Sequence, residues 1–415
     1  MKYDVILIGG GLSALVCGIT LQKAGKKCLM VSAGQNALHF SSGTFGLLGR
    51  LPGGKEVAEP IASVRKLGPD HPYTKIGAKK VMEYAKSTER FFSECGIVLK
   101  GNRNSNVYRL TPVGTLKPCW LALKDTATLE SKDEKIGDKA LIVNFSGYMD
   151  FNTSFIAEGL EKRGVPCRIS AVRIPEVERL RKNPSEMRSV NIARVMDREE
   201  NWKLFAKQVG SLLRGEDLVV LPEVFGLADS AVCDWIREMI PAKVLFIGTM
   251  PPSVPGIWMQ MRLKKAFEGT GGTFLTGDEA LRSEISGGRV LRIGTANLGD
   301  IALEAGHYVL ASGHFFGKGL VATPEKITEP VFGLDVDYPA DRNAWYDKDF
   351  FSRQNYLGCG VRTDGDFHPC KDGVPVDNLF VIGAETGGCN SLYEGSGAGV
   401  AIMTAFRAAE VILNG

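Results

Sequence analysis

The sequence has no CxxC pair. Its nine cysteines are scattered and odd in number, a pattern that speaks against a zinc or iron–sulfur site within the chain and for free thiols in a reducing cytoplasm. HExxH and EF-hand patterns, paired carboxylates and a Ser–His–Asp arrangement are missing too, which leaves hydrolase and metalloenzyme readings poor. No apolar run approaches the roughly 20 residues of a membrane-spanning helix. The formal charge of +3 gives no reason to expect nucleic acid or a polybasic membrane patch. Repeats, low-complexity tracts and linkers are also lacking. The apolar start runs straight into glycines and reads as a strand, not a leader. At 415 residues with 44% hydrophobic and 23% charged, the chain reads as a two- or three-domain α/β enzyme or enzyme subunit.

What is present begins at once. Tyr3 to Ile8 is an apolar run suited to a strand buried on both faces. Gly9, Gly10 and Gly11 follow, then Leu12 to Lys23 at helical spacing, and Cys28 to Val31 supplies a second strand. The fingerprint is G-x-G-x-x-A: Gly9 for the turn, Gly11 for a phosphate's close approach, Ala14 for tight helix-on-strand packing. Gly10, Leu12 and Ser13 complete a loop and helix start whose N–H groups and dipole favour a phosphate. A glycine fingerprint alone is weak; with both strands and the helix at the right spacing it predicts a nucleotide or flavin site.

One acid is absent. Such units place a carboxylate at the end of the second strand to grip the adenosine ribose, and here that position is Ser32, with no carboxylate as far as Gly49. Either backbone and Ser32 hold the AMP half of FAD, or there is no AMP half and the ligand is FMN. The missing acid favours FMN. NADP is disfavoured because no arginine stands beside Ser32.

Near the carboxyl terminus, Leu379 to Ile382 reads as a strand stopped by Gly383, and Gly397 and Gly399 open a helix from about Ala398 to Leu413. Tyr308 to Gly313 repeats the strand-then-glycine theme. Three such pieces in this order resemble the flavoproteins of the fumarate reductase and succinate dehydrogenase type. "ALHFSSGTFGLLGRLPGG", "SVNIARVMD", "PPSVPGI" and "ASGHFFGKGLVA" narrow the likeness to the family of anaerobic glycerol-3-phosphate dehydrogenase B subunits, over nearly the whole chain. The resemblance implies a flavin wrapped by the loop carrying Ser41, Ser42 and Gly43, approached by Ser312 and Gly313, and capped by Gly383, Ala384, Glu385, Gly397, Ala398 and Gly399. The ribitol-binding acid expected directly after Gly383 is Ala384, with Glu385 one residue later. The resemblance further implies a complex with a flavin-bearing A subunit and an iron–sulfur C subunit anchored at the cytoplasmic side of the inner membrane. That complex oxidises sn-glycerol 3-phosphate to dihydroxyacetone phosphate and passes electrons to quinone.

The fold expected is α/β: a Rossmann-like flavin-binding domain, residues 1–50 and 270–415, interrupted by an α+β cap and partner-docking region, 51–269. The cap is expected to break from sheet-and-helix repetition. Alcohol oxidation needs a base, and His314, directly after Gly313, is the candidate; a packing role beside the cofactor competes with it. Arg353, Arg362 and Arg109 are candidates for a substrate phosphate, with Lys318 near the middle strand. The competing function is a flavin-holding relay and assembly protein without a substrate site, and a free-standing flavin reductase is a third reading.

Overall fold

The computed structural model describes residues 2–415. Its main sheet has five strands in the order Thr273–Thr276, Cys28–Ser32, Lys2–Ile8, Glu304–Leu310, Leu379–Val381. Every neighbouring pair is parallel. The first strand therefore lies inside the sheet, covered on both faces. Val5 and Leu7 enter one core, while Ile6 and Ile8 enter the other, as alternation along a strand requires. Its unbroken apolar run is the mark of a parallel strand buried on both sides.

The first helix spans Leu12–Lys23, as its spacing predicts. Gly9 makes the turn before it at φ +118°, and a Cβ there would lie 2.2 Å from the Ala311 carbonyl oxygen. Only glycine permits both the conformation and this approach to the end of the middle strand. The first helix packs on the closing helix, Gly397–Asn414, which buries Ala401, Ala405, Ala408 and Ala409. By length and composition the closing helix could cross a membrane, contrary to the expectation that no segment could, yet 61% of it is buried inside the protein.

The middle of the chain departs from expectation. Residues 140–247 do repeat strand and helix. Four parallel strands stand in the order Cys167–Val172, Ala140–Phe145, Leu218–Pro222, Lys243–Ile247. Helices Thr153–Glu161 and Ala231–Met239 are among the crossovers. The strands are short and flanked by charged helices, so their apolar runs stand out little. An antiparallel hairpin, Val107–Leu110 with Leu116–Cys119, sets Arg109 opposite Lys117.

Candidate functional site

A cavity of about 800 Å³ opens along the carboxyl edge of the main sheet, within the range of roughly 300–1,000 Å³ usual for small-molecule and cofactor sites. Gly9, Gly10, Gly11, Leu12 and Ser13 form one wall, and Ser32 stands beside them. Ser41 and Ser42 come from the next loop. Ser312, Gly313 and His314 follow the middle strand, and Ala384, Gly397 and Ala398 close the far side. The first and closing helices both begin here, and no side chain caps either. The first N–H groups of a helix have no partner within it. In the closing helix the Gly399 N–H is taken by the Gly46 carbonyl at 2.8 Å, which leaves those of Gly397 and Ala398, with those at the start of the first helix, for a ligand.

Other expected residues stand behind this wall. Ala14 is fully buried under the first helix. A Cβ on Gly43 would meet Pro255 at 2.8 Å, on Gly383 the Ser13 hydroxyl at 2.6 Å, and on Gly399 the Tyr73 hydroxyl at 2.2 Å. These three glycines set close packing and do not line the cavity. Glu385 is 0% exposed and turned inward. The Ser312 N–H and hydroxyl donate to it at 3.0 and 2.9 Å. Burial first, then the nearby Glu329, pushes its pKa well above the usual carboxylate range. It ties the middle strand to the closing strand instead of reaching the cavity.

The phosphate candidates separate. Arg353 is exposed and donates to the Pro52 carbonyl at 3.3 Å, and Arg362 is exposed and paired with Asp337. The structure brings neither to the cavity, because the segment that carries them runs over the surface. Arg109 and Lys318 do line it. Arg109 donates to the Ser42 hydroxyl and stands cross-strand from Lys117, which also lines the cavity. Like charges placed directly opposite repel, and no carboxylate pairs with either among the described residues. Desolvation, then the charges of Arg109 and Arg50, holds the Lys117 ammonium below its ordinary range.

His314 lies 2.9 Å from the Cys359 carbonyl through Nε2. A carbonyl can only accept, so Nε2 carries the hydrogen and Nδ1 keeps the lone pair. Burial lowers the His314 pKa, opposed by that hydrogen bond. His39 stays off the cavity wall, its Nδ1 3.2 Å from Gln260.

Several lining residues escaped the sequence reading: Asn36, Lys117, Thr249, Asp278 and Glu279. Asn36 donates to the Gly10 carbonyl at 2.7 Å and accepts from Leu38 N–H at 3.0 Å, so it braces the phosphate loop. Asp278 and Glu279 had a visible signal, two acids just after an apolar strand.

These residues fit a flavin nucleotide. A Cβ on Gly11 would meet nothing nearer than Asn36 at 3.9 Å, so the bare backbone there leaves room beside the free N–H groups. Over 416 residues the chain is 40% identical to the anaerobic glycerol-3-phosphate dehydrogenase B subunit of Pectobacterium atrosepticum, covering 100% of this chain and 99% of that one. The B subunit of Yersinia enterocolitica is 41% identical over 418 residues, again covering 100% and 99%. The chain belongs to the family of anaerobic glycerol-3-phosphate dehydrogenase B subunits. Residues 4–400 of this family member also match the FAD binding domain family, so it is a flavoprotein of the oxidoreductase class. The match supports a flavin and lends nothing to the preference for FMN drawn from Ser32. Among solved structures, 3-ketosteroid Δ1-dehydrogenase from Sterolibacterium denitrificans aligns with TM-score 0.45 at 12% identity, covering 100% of this chain and 99% of that one. E. coli quinol fumarate reductase FrdA aligns with TM-score 0.44 at 8% identity, covering 100% and 70%.

Proposed function

We propose that this chain is the flavin-bearing B subunit of a complex that oxidises sn-glycerol 3-phosphate to dihydroxyacetone phosphate. Its electrons leave through an A subunit and an iron–sulfur C subunit to quinone, at the cytoplasmic side of the inner membrane. In this reading residues 1–50 and 270–415 hold the cofactor, and 51–269 carry the substrate wall and the partner surface. FAD is the flavin, held by the phosphate loop, by Ser41 and Ser42, and by the start of the closing helix.

The observation that carries the substrate reading is the Arg109–Lys117 pair. Two opposed cations facing the cavity of the phosphate loop, with no carboxylate between them, suit a dianionic phosphate. Their mutual repulsion costs stability until an anion arrives, which is the kind of local conflict expected at functional sites. When bound, the flavin supplies the two-electron acceptor that alcohol oxidation requires. His314 takes the hydroxyl proton on Nδ1, the nitrogen left free by the bond to Cys359. Ser42 orients Arg109 by accepting its hydrogen bond.

The test is anaerobic mixing of the flavin-loaded chain with glycerol 3-phosphate, followed by flavin absorbance. Bleaching that disappears in Arg109→Ala and survives in Arg353→Ala is the expected result. A loaded chain that does not bleach would transfer substrate oxidation to the A subunit and leave this one as a relay.

A further inference from the structure

The acid missing at Ser32 has a counterpart one strand away. Thr273–Thr276 pairs in parallel with Cys28–Ser32, setting Thr276 opposite Ser32. The Gly277 and Asp278 N–H groups then donate to the Ser32 carbonyl at 2.8 and 3.2 Å. Asp278 and Glu279 thus emerge at the same edge of the sheet as Ser32, and both line the cavity. Ser32 itself has little room to reach a ligand. It is buried, its hydroxyl donates to the Gly34 carbonyl at 3.2 Å, and a Cβ on Gly10 would lie 2.5 Å from its Oγ.

The two acids differ in what they have left to give. Asp278 is buried and committed: Thr295 Oγ1 donates to Oδ2 at 2.7 Å, and the Asn297 and Glu279 N–H groups donate to Oδ1 at 2.9 and 3.0 Å. It fixes the turn. Glu279 is exposed, and its carboxylate has no hydrogen bond or ion pair among the described residues. Its backbone is nevertheless held, because its carbonyl accepts from Ala296 N–H at 2.9 Å. The result is an anchored main chain presenting a free carboxylate at the nucleotide end of the cavity.

We infer that Glu279 replaces the absent acid at Ser32 and accepts hydrogen bonds from the ribose hydroxyls of the AMP half of FAD. The inference rests on FAD being the flavin. A carboxylate suits an unphosphorylated diol, whose two O–H groups can both donate to it, and repels a 2′-phosphate. FMN has no ribose at this position and does not engage Glu279.

The experiment is equilibrium binding of FAD and of FMN to the flavin-stripped full chain, wild type and Glu279→Ala, followed by quenching of intrinsic tryptophan fluorescence. Loss of charged hydrogen bonds should weaken FAD by roughly 10- to 100-fold and leave FMN affinity unchanged. Glu279→Gln, which keeps one acceptor, should fall between. FAD affinity unaltered in Glu279→Ala would overturn the assignment, and so would equal weakening of FAD and FMN. A wild-type chain that takes FMN and refuses FAD would instead overturn the FAD reading beneath it.

Discussion

Glu223 follows the strand Leu218–Pro222 and is 4% exposed. Thr126 donates to its Oε1 at 2.7 Å, and its Oε2 has no partner among the described residues. Burial, the largest cause, raises its pKa from 4.5 to about 8. Between those two values the folded chain holds a proton that the unfolded chain has released. This group's contribution to stability is therefore full below about 4.5, falls as pH rises, and levels off above about 8. Glu223→Gln removes the titration. Urea denaturation at about pH 5 and about pH 8 should show the variant gaining on the wild type at the higher pH, by an amount on the order of a few kcal/mol. Parallel pH profiles for the two proteins would mean that Glu223 is ionised in the fold.

At the scale of elements, two helix starts use glycine for different ends, and substitution separates them. At Gly11 an added methyl enters the cavity and touches almost nothing of the protein. Gly11→Ala should cost no more than about 1 kcal/mol, the effect of a weaker cap, while flavin affinity collapses. At Gly399 the methyl meets the Tyr73 hydroxyl at 2.2 Å and Leu47 Cα at 2.8 Å, where backbone must move. Gly399→Ala should lower the stability of the flavin-free chain by about 3 kcal/mol, near the upper end for overpacking. Thermal melts with and without flavin distinguish the two; equal melting points without flavin would refute the division. The same elements mark what the sequence made legible. Strand, glycine turn and helix are local signals, so the unit from Lys2 to Ser32 and the closing helix emerged nearly to the residue. The sheet of residues 140–247 did not, because "ALIVNF" carries no periodicity of its own and sits among charges. Which glycine faces the cavity and which faces packing was also hidden. Gly43, Gly383 and Gly399 look like cofactor glycines until the distant Pro255, Ser13 and Tyr73 are set against them.

Across the whole molecule, the cavity needs distant parts of the chain held together, and one buried contact does much of this. His71 and Glu394 are 2% and 1% exposed and meet at 3.1 Å. His71 Nδ1 accepts from Tyr73 N–H at 3.1 Å, so Nε2 bears the hydrogen that goes to Glu394. Glu394 also accepts from Asn390 N–H at 3.1 Å, and its carbonyl accepts from the Gly49 and Arg50 N–H groups at 2.8 and 2.9 Å. This one residue joins the helix Pro72–Ile76, the loop that follows Ser41 and Ser42, and the turn before the closing helix. Ser391, Leu392 and Gly395 of that turn line the cavity. Long-range pairing of this kind has no sequence signature, so nothing local in the sequence marks His71 as the partner of Glu394. Glu394→Ala would strand the His71 Nε2–H and the Asn390 N–H in a dry interior, at about 1–3 kcal/mol each. Glu394→Gln, keeping an acceptor and the shape, should lose less. Because the turn it holds is also cavity wall, Glu394→Ala should lower both the urea midpoint of the flavin-free chain and the flavin bound per chain at a concentration that saturates wild type. A lower midpoint with flavin content intact would show the clamp serving the fold alone, and the cavity wall keeping its shape without it.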